Sequence, residues 1–246
     1  MGICRLCLED KKLIKAHIIP DFMYNGMKDD NNIFHSMKDI SDEIRLTKLQ
    51  TGEFDKTILC EDCDNRILGG KYEKYAKSII FSEKLNLDSY PIYKAENGKN
   101  FSILNDISYN KIKLFLLSIL WRASITKRPF FKEVNLGQNH ENRIKEILYK
   151  SIIPDELEYP ILATSFSQTK HPLQQVIAQP KKIKFPYNIK GYIFSMRGLN
   201  FIFLVNSVNH NLPVSLKESI INKNNEITVF YDNNKQDFNI LNSILK

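Results

Sequence analysis

All four cysteines of the chain belong to two C-x-x-C pairs, Cys4/Cys7 and Cys60/Cys63. Two thiolates at this spacing can point at one ion from a tight turn, and two such turns complete a closed tetrahedral site that zinc favours. Because the site is closed, it leaves no coordination position for a substrate, and we predict structural zinc. The alternatives are disulfide bonds, which are rare in cytoplasmic proteins, and a thioredoxin-like redox pair, which needs only one such motif.

One histidine, His17, lies between the two cysteine pairs in the run AHIIP. The interval from Cys7 to Cys60 exceeds the roughly 15 to 20 residues of a compact zinc ribbon, so the metal would join the ends of a larger insert. An imidazole with a pKa near roughly 6.5 is partly neutral at working pH and can accept a proton from water. The alternative is a histidine buried beside the zinc site that donates to a backbone carbonyl and has no chemical role.

The order C-x-x-C, AHIIP, LCEDC resembles the HNH endonucleases, and in particular a zinc-containing branch with the pattern C-x-x-C, [S/D]-H-I-I-P, L-C-x-x-C. The resemblance covers residues 1 to about 80. It implies a treble-clef-like ββα-metal fold, in which a hairpin is followed by a helix that begins at the second cysteine pair. It also implies that His17 is the general base that activates the water attacking a phosphodiester.

The chain departs from that family's pattern at the residue before the histidine. The family has an aspartate there, a ligand of the catalytic metal, whereas this chain has Ala16, which cannot bind an ion. The resemblance makes Asp64, directly after the last cysteine, a ligand for a divalent cation such as Mg²⁺, Mn²⁺ or Ni²⁺, since carboxylates hold such ions. Asp55 replaces a family asparagine that orients the loop of the base, and hydrogen bonding by its carboxylate can serve the same purpose.

Glu73 is our candidate for the metal ligand that Ala16 does not supply. In an unbroken α-helix, Asp64 and Glu73 would be about 900° apart and would face opposite sides. Gly69 and Gly70 could break the helix and bring Glu73 round, because glycine tolerates conformations that end helices. The alternative is that Glu73 is a solvated helix charge.

The elements that must position these residues predict an α+β protein in three parts. Residues 1–82 form the zinc module, residues 83–157 a linker and helical segment, and residues 158–246 a region with a small antiparallel sheet. In the helical segment, the apolar run 107–126 predicts a buried helix with the sole tryptophan, Trp121, as core anchor. Arg122, at the end of that helix, is expected to pair with a carboxylate or cap carbonyls rather than bind phosphate. In the last region, Arg197 and Gly198 predict a tight hairpin.

Composition limits the class of protein. A hydrophobic content of 43% predicts a globular chain with a real core. No run reaches the roughly 18 apolar residues of a membrane span, and MGICRLC lacks a secretion signal, so we expect a cytoplasmic protein without a membrane partner. The net charge of +7 and the pI near 9.0 suit a nucleic-acid partner, DNA more than RNA.

Three hypotheses follow for the function. The first is a metal-dependent endonuclease that hydrolyses DNA or RNA, for which the resemblance implies a prokaryotic defence system and a protein partner in a defence complex. The second is a degenerate HNH-like zinc module that lost cleavage with the change to Ala16 and binds nucleic acid or a partner protein. The third assigns the function to the C-terminal sheet, with the zinc module as its support.

Overall fold

The structure is a computed structural model that describes residues 1–25, 34–40, 43–49, 51–80, 87–96, 98–165, 177–185, 189–205 and 212–231. The chain is mixed α+β, as predicted, and divides into two compact units. Unit 1 comprises Met1–Ser78 and Asn110–Ile153, and unit 2 comprises Ile79–Tyr109 and Pro154–Lys246. The segment 110–153 therefore belongs with the cysteine-containing part, while the three-part division at 82 and 157 stays a prediction.

Unit 1 is built on very short strands. β1 pairs with β2 and β3 pairs with β6, each over two residues, whereas β4 and β5 form a seven-residue hairpin that the sequence patterns did not predict. The strands are β1 Gly2–Ile3, β2 Asp10–Lys11, β3 Ala16–His17, β4 Phe34–Ile40, β5 Glu43–Leu49 and β6 Phe54–Asp55. Because two-residue ladders contribute few hydrogen bonds, other contacts must hold this unit together.

The helices of unit 1 supply those contacts. A π-helix spans Asp62–Glu73 and continues directly into α1, Lys74–Ile80. The next helix, α2 (Tyr109–Ile125), is almost entirely buried, as its apolar composition predicts, and Trp121 within it is 1% exposed. Helix α3 (Gln138–Lys150) is amphipathic and buries Ile144, Ile147 and Leu148. Short 3-10 turns occupy Asp21–Tyr24 and Pro129–Phe131.

Unit 2 contains a sheet with the strand order β10-β12-β13-β9-β14-β8-β7, and β11 also pairs with β12. The strands are β7 Tyr93–Lys94, β8 Asn100–Leu104, β9 Ile161–Ser165, β10 Ile177–Ala178, β11 Lys181–Lys184, β12 Lys190–Met196, β13 Leu199–Val205 and β14 Ile227–Tyr231. The predicted hairpin joins β12 to β13, with Arg197 (φ 55°) and Gly198 (φ 76°) in the left-handed conformation at its turn. The described pairings are antiparallel except β14 with β9, which is parallel.

The core of unit 2 is aliphatic and aromatic. It includes a cluster of buried side chains from the sheet, from helix α4 (Val214–Lys217) and from neighbouring loops: Leu162, Phe185, Ile189, Ile202, Leu204, Leu212, Leu216, Ile220 and Phe230. A short 3-10 turn, Leu87–Ser89, precedes β7. Across the described residues of both units, every helix is too short or too polar to cross a bilayer.

Candidate functional site

The two C-x-x-C pairs come together as predicted. The sulfur atoms of Cys4, Cys7, Cys60 and Cys63 all lie within 4.8 Å of one another, and the Cys7 and Cys60 sulfurs are 4.0 Å apart. Zinc–sulfur bonds of about 2.3 Å in a tetrahedron require sulfur separations of about 3.8 Å, so small side-chain adjustments suffice. The cluster can bind a metal ion such as zinc.

The backbone around the cysteines explains how the chain returns to the same point 53 residues after Cys7. In the first turn, Leu8 N–H donates to the Cys4 carbonyl, and Leu8 itself adopts a positive φ of 64°. The second turn is joined to the first by Cys60 N–H, which donates to the Cys4 sulfur at 3.4 Å. Asp64 N–H then donates to the Cys60 carbonyl, so the helix begins at the second cysteine pair.

The electrostatics of the cluster favour a cation. The Cys63 thiol hydrogen-bonds the Cys4 sulfur and lowers the pKa of Cys4 to about 4. The same contact with Cys4, together with burial, raises the pKa of Cys63, because a second thiolate would face the first in a buried site. A divalent cation at the centre would remove this opposition and allow the sulfurs to bind as thiolates.

His17 lies at the end of β3. Its side chain is 24% exposed, and its Nε2 is enclosed and has no hydrogen-bond partner among the described residues, although Asp21 Oδ1 is 3.7 Å away. Burial lowers the pKa of His17; the positive charges of Lys15 and Arg122 add to this effect, and Asp21 and Glu73 oppose it. The ring is therefore neutral near pH 7, with a nitrogen available to accept a proton.

Asp64 and Glu73 lie on one face of the π-helix. Each π-type hydrogen bond spans five residues, which corresponds to about 4.4 residues per turn, so nine residues complete about two turns. The helix is not broken at the glycine pair: Lys74 N–H donates to the Gly69 carbonyl, and the chain winds continuously through Gly69 and Gly70. A Cβ at Gly69 would lie 3.2 Å from the Asp64 carbonyl oxygen, so glycine eases the close approach that this winding requires.

The two carboxylates have different environments. Burial is the main reason that the pKa of Asp64 is raised to about 6; the charge of Arg122 opposes this rise, and the charge of Glu73 contributes to it. Glu73 is 20% exposed and accepts from Arg122 at 2.8 Å, so it is not the solvated helix charge of the alternative hypothesis. Arg122 therefore offsets part of the effect that Glu73 has on Asp64.

Arg122 connects α2 to both parts of the candidate site. One guanidinium nitrogen donates to the His17 carbonyl at 2.7 Å as well as to Glu73, and the others donate to Ser118. The side chain is 1% exposed. The sequence prediction that Arg122 pairs with a carboxylate and carbonyls is confirmed, and the same contacts hold His17 next to the π-helix.

Asp55 fixes the loop opposite His17. It pairs with Ala16 across β3 and β6, and its carboxylate accepts from Thr57 N–H, Thr57 Oγ1 and Thr126 Oγ1 at 2.6–2.8 Å. Burial raises the pKa of Asp55, but the hydrogen bonds from Thr126 and Thr57 outweigh it and hold the pKa below its ordinary value. Its carboxylate therefore stays ionised as an anchor of the backbone around the histidine.

The predicted cysteine ligands converge on one point, whereas the predicted catalytic residues do not. Within the part of the chain that the structure describes, only the four cysteines bring three or more ligand atoms close enough to hold a metal as they stand. The charges of Arg122 and Glu73 affect the pKa of both His17 and Asp64. The three predicted side chains do not converge on one point, since Glu73 is turned to Arg122. Ala16 is fully buried and offers no ligand.

Sequence patterns missed a set of residues next to His17. The His17 ring makes an edge contact with Phe54, with centroids 6.2 Å apart, and cations from three segments lie over the same Phe54 ring. The available signal in the sequence was a lysine next to each strand: Lys15 comes directly before β3, and Lys56 comes directly after β6, which contains Phe54.

Comparisons with protein-family models, with curated proteins and with solved structures give no match for this chain.

Proposed function

We propose that unit 1 is a metal-dependent endonuclease of the HNH type. One observation carries this proposal: the π-helix brings Asp64 and Glu73 to one face, and Arg122 joins Glu73 to the backbone of His17, whose enclosed Nε2 has no hydrogen-bond partner among the described residues. A carboxylate with a raised pKa, here Asp64, in the same unit as a neutral histidine is typical of catalytic sites. The substrate would be a phosphodiester bond of DNA or RNA.

Each residue then has a distinct role. His17 accepts the proton of the attacking water at Nε2, which burial keeps neutral. Arg122 holds the His17 backbone, and Asp55 holds the strand that pairs with it, so the ring keeps its position without a side-chain hydrogen bond at Nε2. These groups orient the base before any substrate arrives, which lowers the entropic cost of the reaction.

The donor set fits a hard divalent cation in part. Mg²⁺ is commonly bound by one or two carboxylates together with substrate phosphates, so Asp64 alone is a sufficient protein contribution, and Glu73 could be a second ligand only after leaving Arg122. When bound, such an ion would stabilise the negative charge that develops on the phosphate. Asp64 is suited to this role because it is desolvated and its charge is only partly balanced by Arg122.

We further propose that the cysteine cluster holds structural zinc and that the surrounding elements form a treble-clef-like module. The β1–β2 hairpin carries the first cysteine pair, and a helix begins at the second. Because β1, β2, β3 and β6 are only two residues long, the metal would supply much of the folding energy that their ladders do not.

The ion pair between Arg122 and Glu73 favours a second candidate function. If the 2.8 Å contact persists, Glu73 is unavailable as a ligand, and unit 1 would be a degenerate module that binds nucleic acid or a partner protein without cleaving. This alternative shares the zinc site with the first and differs only in the chemistry at His17.

A cleavage assay separates the two functions. Purified protein, His17→Ala and Asp64→Asn are incubated with plasmid DNA and with RNA in Mg²⁺, Mn²⁺ or Ni²⁺. The nuclease proposal expects metal-dependent cleavage that both variants lose. Equal cleavage by wild type and His17→Ala would eliminate His17 as the base, and an absence of cleavage in every metal would favour the degenerate module.

A further inference from the structure

Three cations converge on the ring of Phe54. Lys15 Nζ lies 4.2 Å from the ring centroid, and Lys56 Nζ and the Arg128 guanidinium carbon each lie 5.9 Å from it. We call Lys15, Phe54, Lys56 and Arg128 the cationic collar. Since His17 contacts the edge of the same ring, the collar borders the candidate catalytic residue.

Local structure explains the convergence. Phe54 pairs with His17 across β3 and β6, which places Lys15 and Lys56, at the ends of these strands, near the ring. Arg128 arrives from the segment that follows α2. The negative face of an aromatic ring offsets the mutual repulsion of nearby cations, so the phenylalanine allows charges from three segments to stay close together.

The charge of the collar is poorly neutralised by the protein. Within the described residues, Lys15 and Lys56 have no ion pair, so two of the three charges are not neutralised. Arg128, which is 48% exposed, donates from two guanidinium nitrogens to the buried carboxylate of Glu53 at 3.4 Å and is partly neutralised by it. Many other surface cations pair closely with carboxylates, as Lys150 does with Glu146 at 2.8 Å. The basic composition of the chain therefore does not by itself account for the collar.

A cleft continues the positive surface. Lys127, next to Arg128, lines a cleft of about 490 Å³ together with Arg5 and Lys145. Glu141 also lines the cleft and lies 4.0 Å from Arg5, so the three cations outnumber the one carboxylate. Thr57, the neighbour of Lys56, lines the same cleft, so collar and cleft adjoin. Trp121 and Ile125 contribute apolar surface to its lining.

We propose that the cationic collar binds the phosphates of a nucleic-acid strand and delivers one of them to His17. The inference rests on the proposed function for the reaction at His17, but phosphate binding itself requires no cleavage. Lys and Arg side chains are the usual partners of backbone phosphates, and such contacts are independent of base sequence. The adjoining cleft lengthens this surface beyond the reacting phosphate.

The test measures binding in the full-length His17→Ala background, which prevents cleavage. Fluorescence anisotropy is recorded with a labelled DNA duplex, a DNA single strand and an RNA single strand, each of about 20 nucleotides, over a range of salt concentrations. The test variant adds Lys15→Gln, Lys56→Gln and Arg128→Gln. The control variant adds Arg66→Gln, Arg143→Gln and Lys150→Gln, which removes the same charge from three ion-paired surface cations.

We expect the test variant to lose salt-dependent affinity for at least one of the three probes, and the control to keep it. Each lost phosphate contact lowers the slope of log K against log salt by about 0.7 to 0.9, so the decline in affinity from 50 to 200 mM salt should become roughly 20- to 40-fold smaller. Phe54→Leu, which removes the ring but keeps an apolar side chain, should weaken binding about two- to fivefold. Both test variants must retain zinc.

Equal salt slopes for the test and control variants would overturn the proposal, as would binding that neither salt nor the collar affects. If Phe54→Leu loses zinc, its binding is disregarded and the proposal is judged on the variant with Lys15→Gln, Lys56→Gln and Arg128→Gln alone. Collar-dependent binding by a wild-type protein that cleaves nothing would remove the nuclease function and leave this inference standing. If the wild type cleaves nucleic acid and the test variant binds it as well as the control does, the nuclease function stands and the collar is not the phosphate-binding surface.

Discussion

The two units achieve order by different means. Unit 2 has strands of up to seven residues that pair in sequence and bury aliphatic and aromatic side chains. In unit 1, four of the strands are two residues long, and ionisable groups such as Arg122, Asp55 and Glu53 are buried or nearly so. The difference shows that the candidate site belongs to the unit whose structure depends on specific polar and thiol contacts rather than on sheet area.

Chelation should give the largest difference in stability between the two units. The zinc that we propose for the cysteine cluster would contribute about 10–16 kcal/mol to folding, so removing it with EDTA, or removing one of its ligands with Cys60→Ser, should unfold unit 1. The sole tryptophan, Trp121, is buried in α2 of that unit, so its fluorescence reports the loss as a red shift. The strand signal of unit 2 in circular dichroism should persist. Unchanged tryptophan emission in both experiments would show that the cysteine cluster is not needed for folding.

The next largest effect concerns chemistry in unit 1. In the proposed endonuclease, His17→Ala should lower the cleavage rate about 10²- to 10⁴-fold without unfolding either unit, because a positioned general base contributes about that much. The base acts when it is neutral, and burial lowers the pKa of His17 from 6.5, so activity limited by this group should fall only below pH 6.5. His140→Ala provides a histidine control in α3. If protonation of His17 lowered the activity already at a pH above 6.5, this would contradict the effect of burial on its pKa.

Arg122→Met tests the polar framework of unit 1. The exchange leaves the Glu73 carboxylate unpaired in a largely buried position and should cost about 3–5 kcal/mol in the free energy of unfolding. Adding Glu73→Gln should restore part of that loss, as a double-mutant cycle in denaturant would show. Arg66→Met, which removes an exposed pair with Asp62, is the control and should change the free energy of unfolding little. Equal costs at the two sites would mean that Arg122 does not stabilise the π-helix.

Leu204→Ala tests the core of unit 2. Leu204 is fully buried in the core of unit 2, and truncation should cost about 2–5 kcal/mol through lost burial and the cavity left behind. The cost should be the same with and without EDTA, measured on the transition of the strand signal. A cost that disappears on chelation would show that the stability of unit 2 depends on the metal.

Asp55→Asn should give the smallest change, about 1–2 kcal/mol, since the amide retains one acceptor for the threonine hydrogen bonds. The folded pKa of Asp55 lies below its unfolded value near 3.8, so its contribution is present above that pH and is lost as the pH falls through the folded pKa. Denaturation at pH 7 and pH 3 should show a smaller difference from wild type in acid. Asp21→Asn, at a carboxylate that is 67% exposed, should change little at either pH.

Sequence reasoning reached the contacts that spacing encodes. The cysteine pairs, the buried helix around Trp121 and the hairpin at Arg197 and Gly198 follow from local patterns, and the structure contains all three. The roles of His17 and Asp64 follow only from the resemblance and stay predictions. The alternative that made Glu73 a solvated charge was wrong, because its partner Arg122 lies 49 residues later and no local pattern joins them.

Two further features were beyond the reach of the patterns. The β4–β5 hairpin has no strong turn dipeptide, and its pairing is visible only in the structure. The winding of the helix after Cys63 was anticipated as a break at Gly69 and Gly70, because periodicity arguments assume the α-helical repeat. Helical stripes of apolar residues do not distinguish a continuous π-helix from a broken α-helix over so short a span.

The winding of the π-helix has a consequence for insertions and deletions. Asp64 and Glu73 share a face nine residues apart because of the wider turn, whereas an α-helix brings residues seven apart into the same alignment. The difference is two residues, the length of the Gly69–Gly70 pair. A chain with both glycines deleted and an ordinary α-helix would present the same two carboxylates together, so glycine-free chains of that length are the ones in which to look for the same acidic pair.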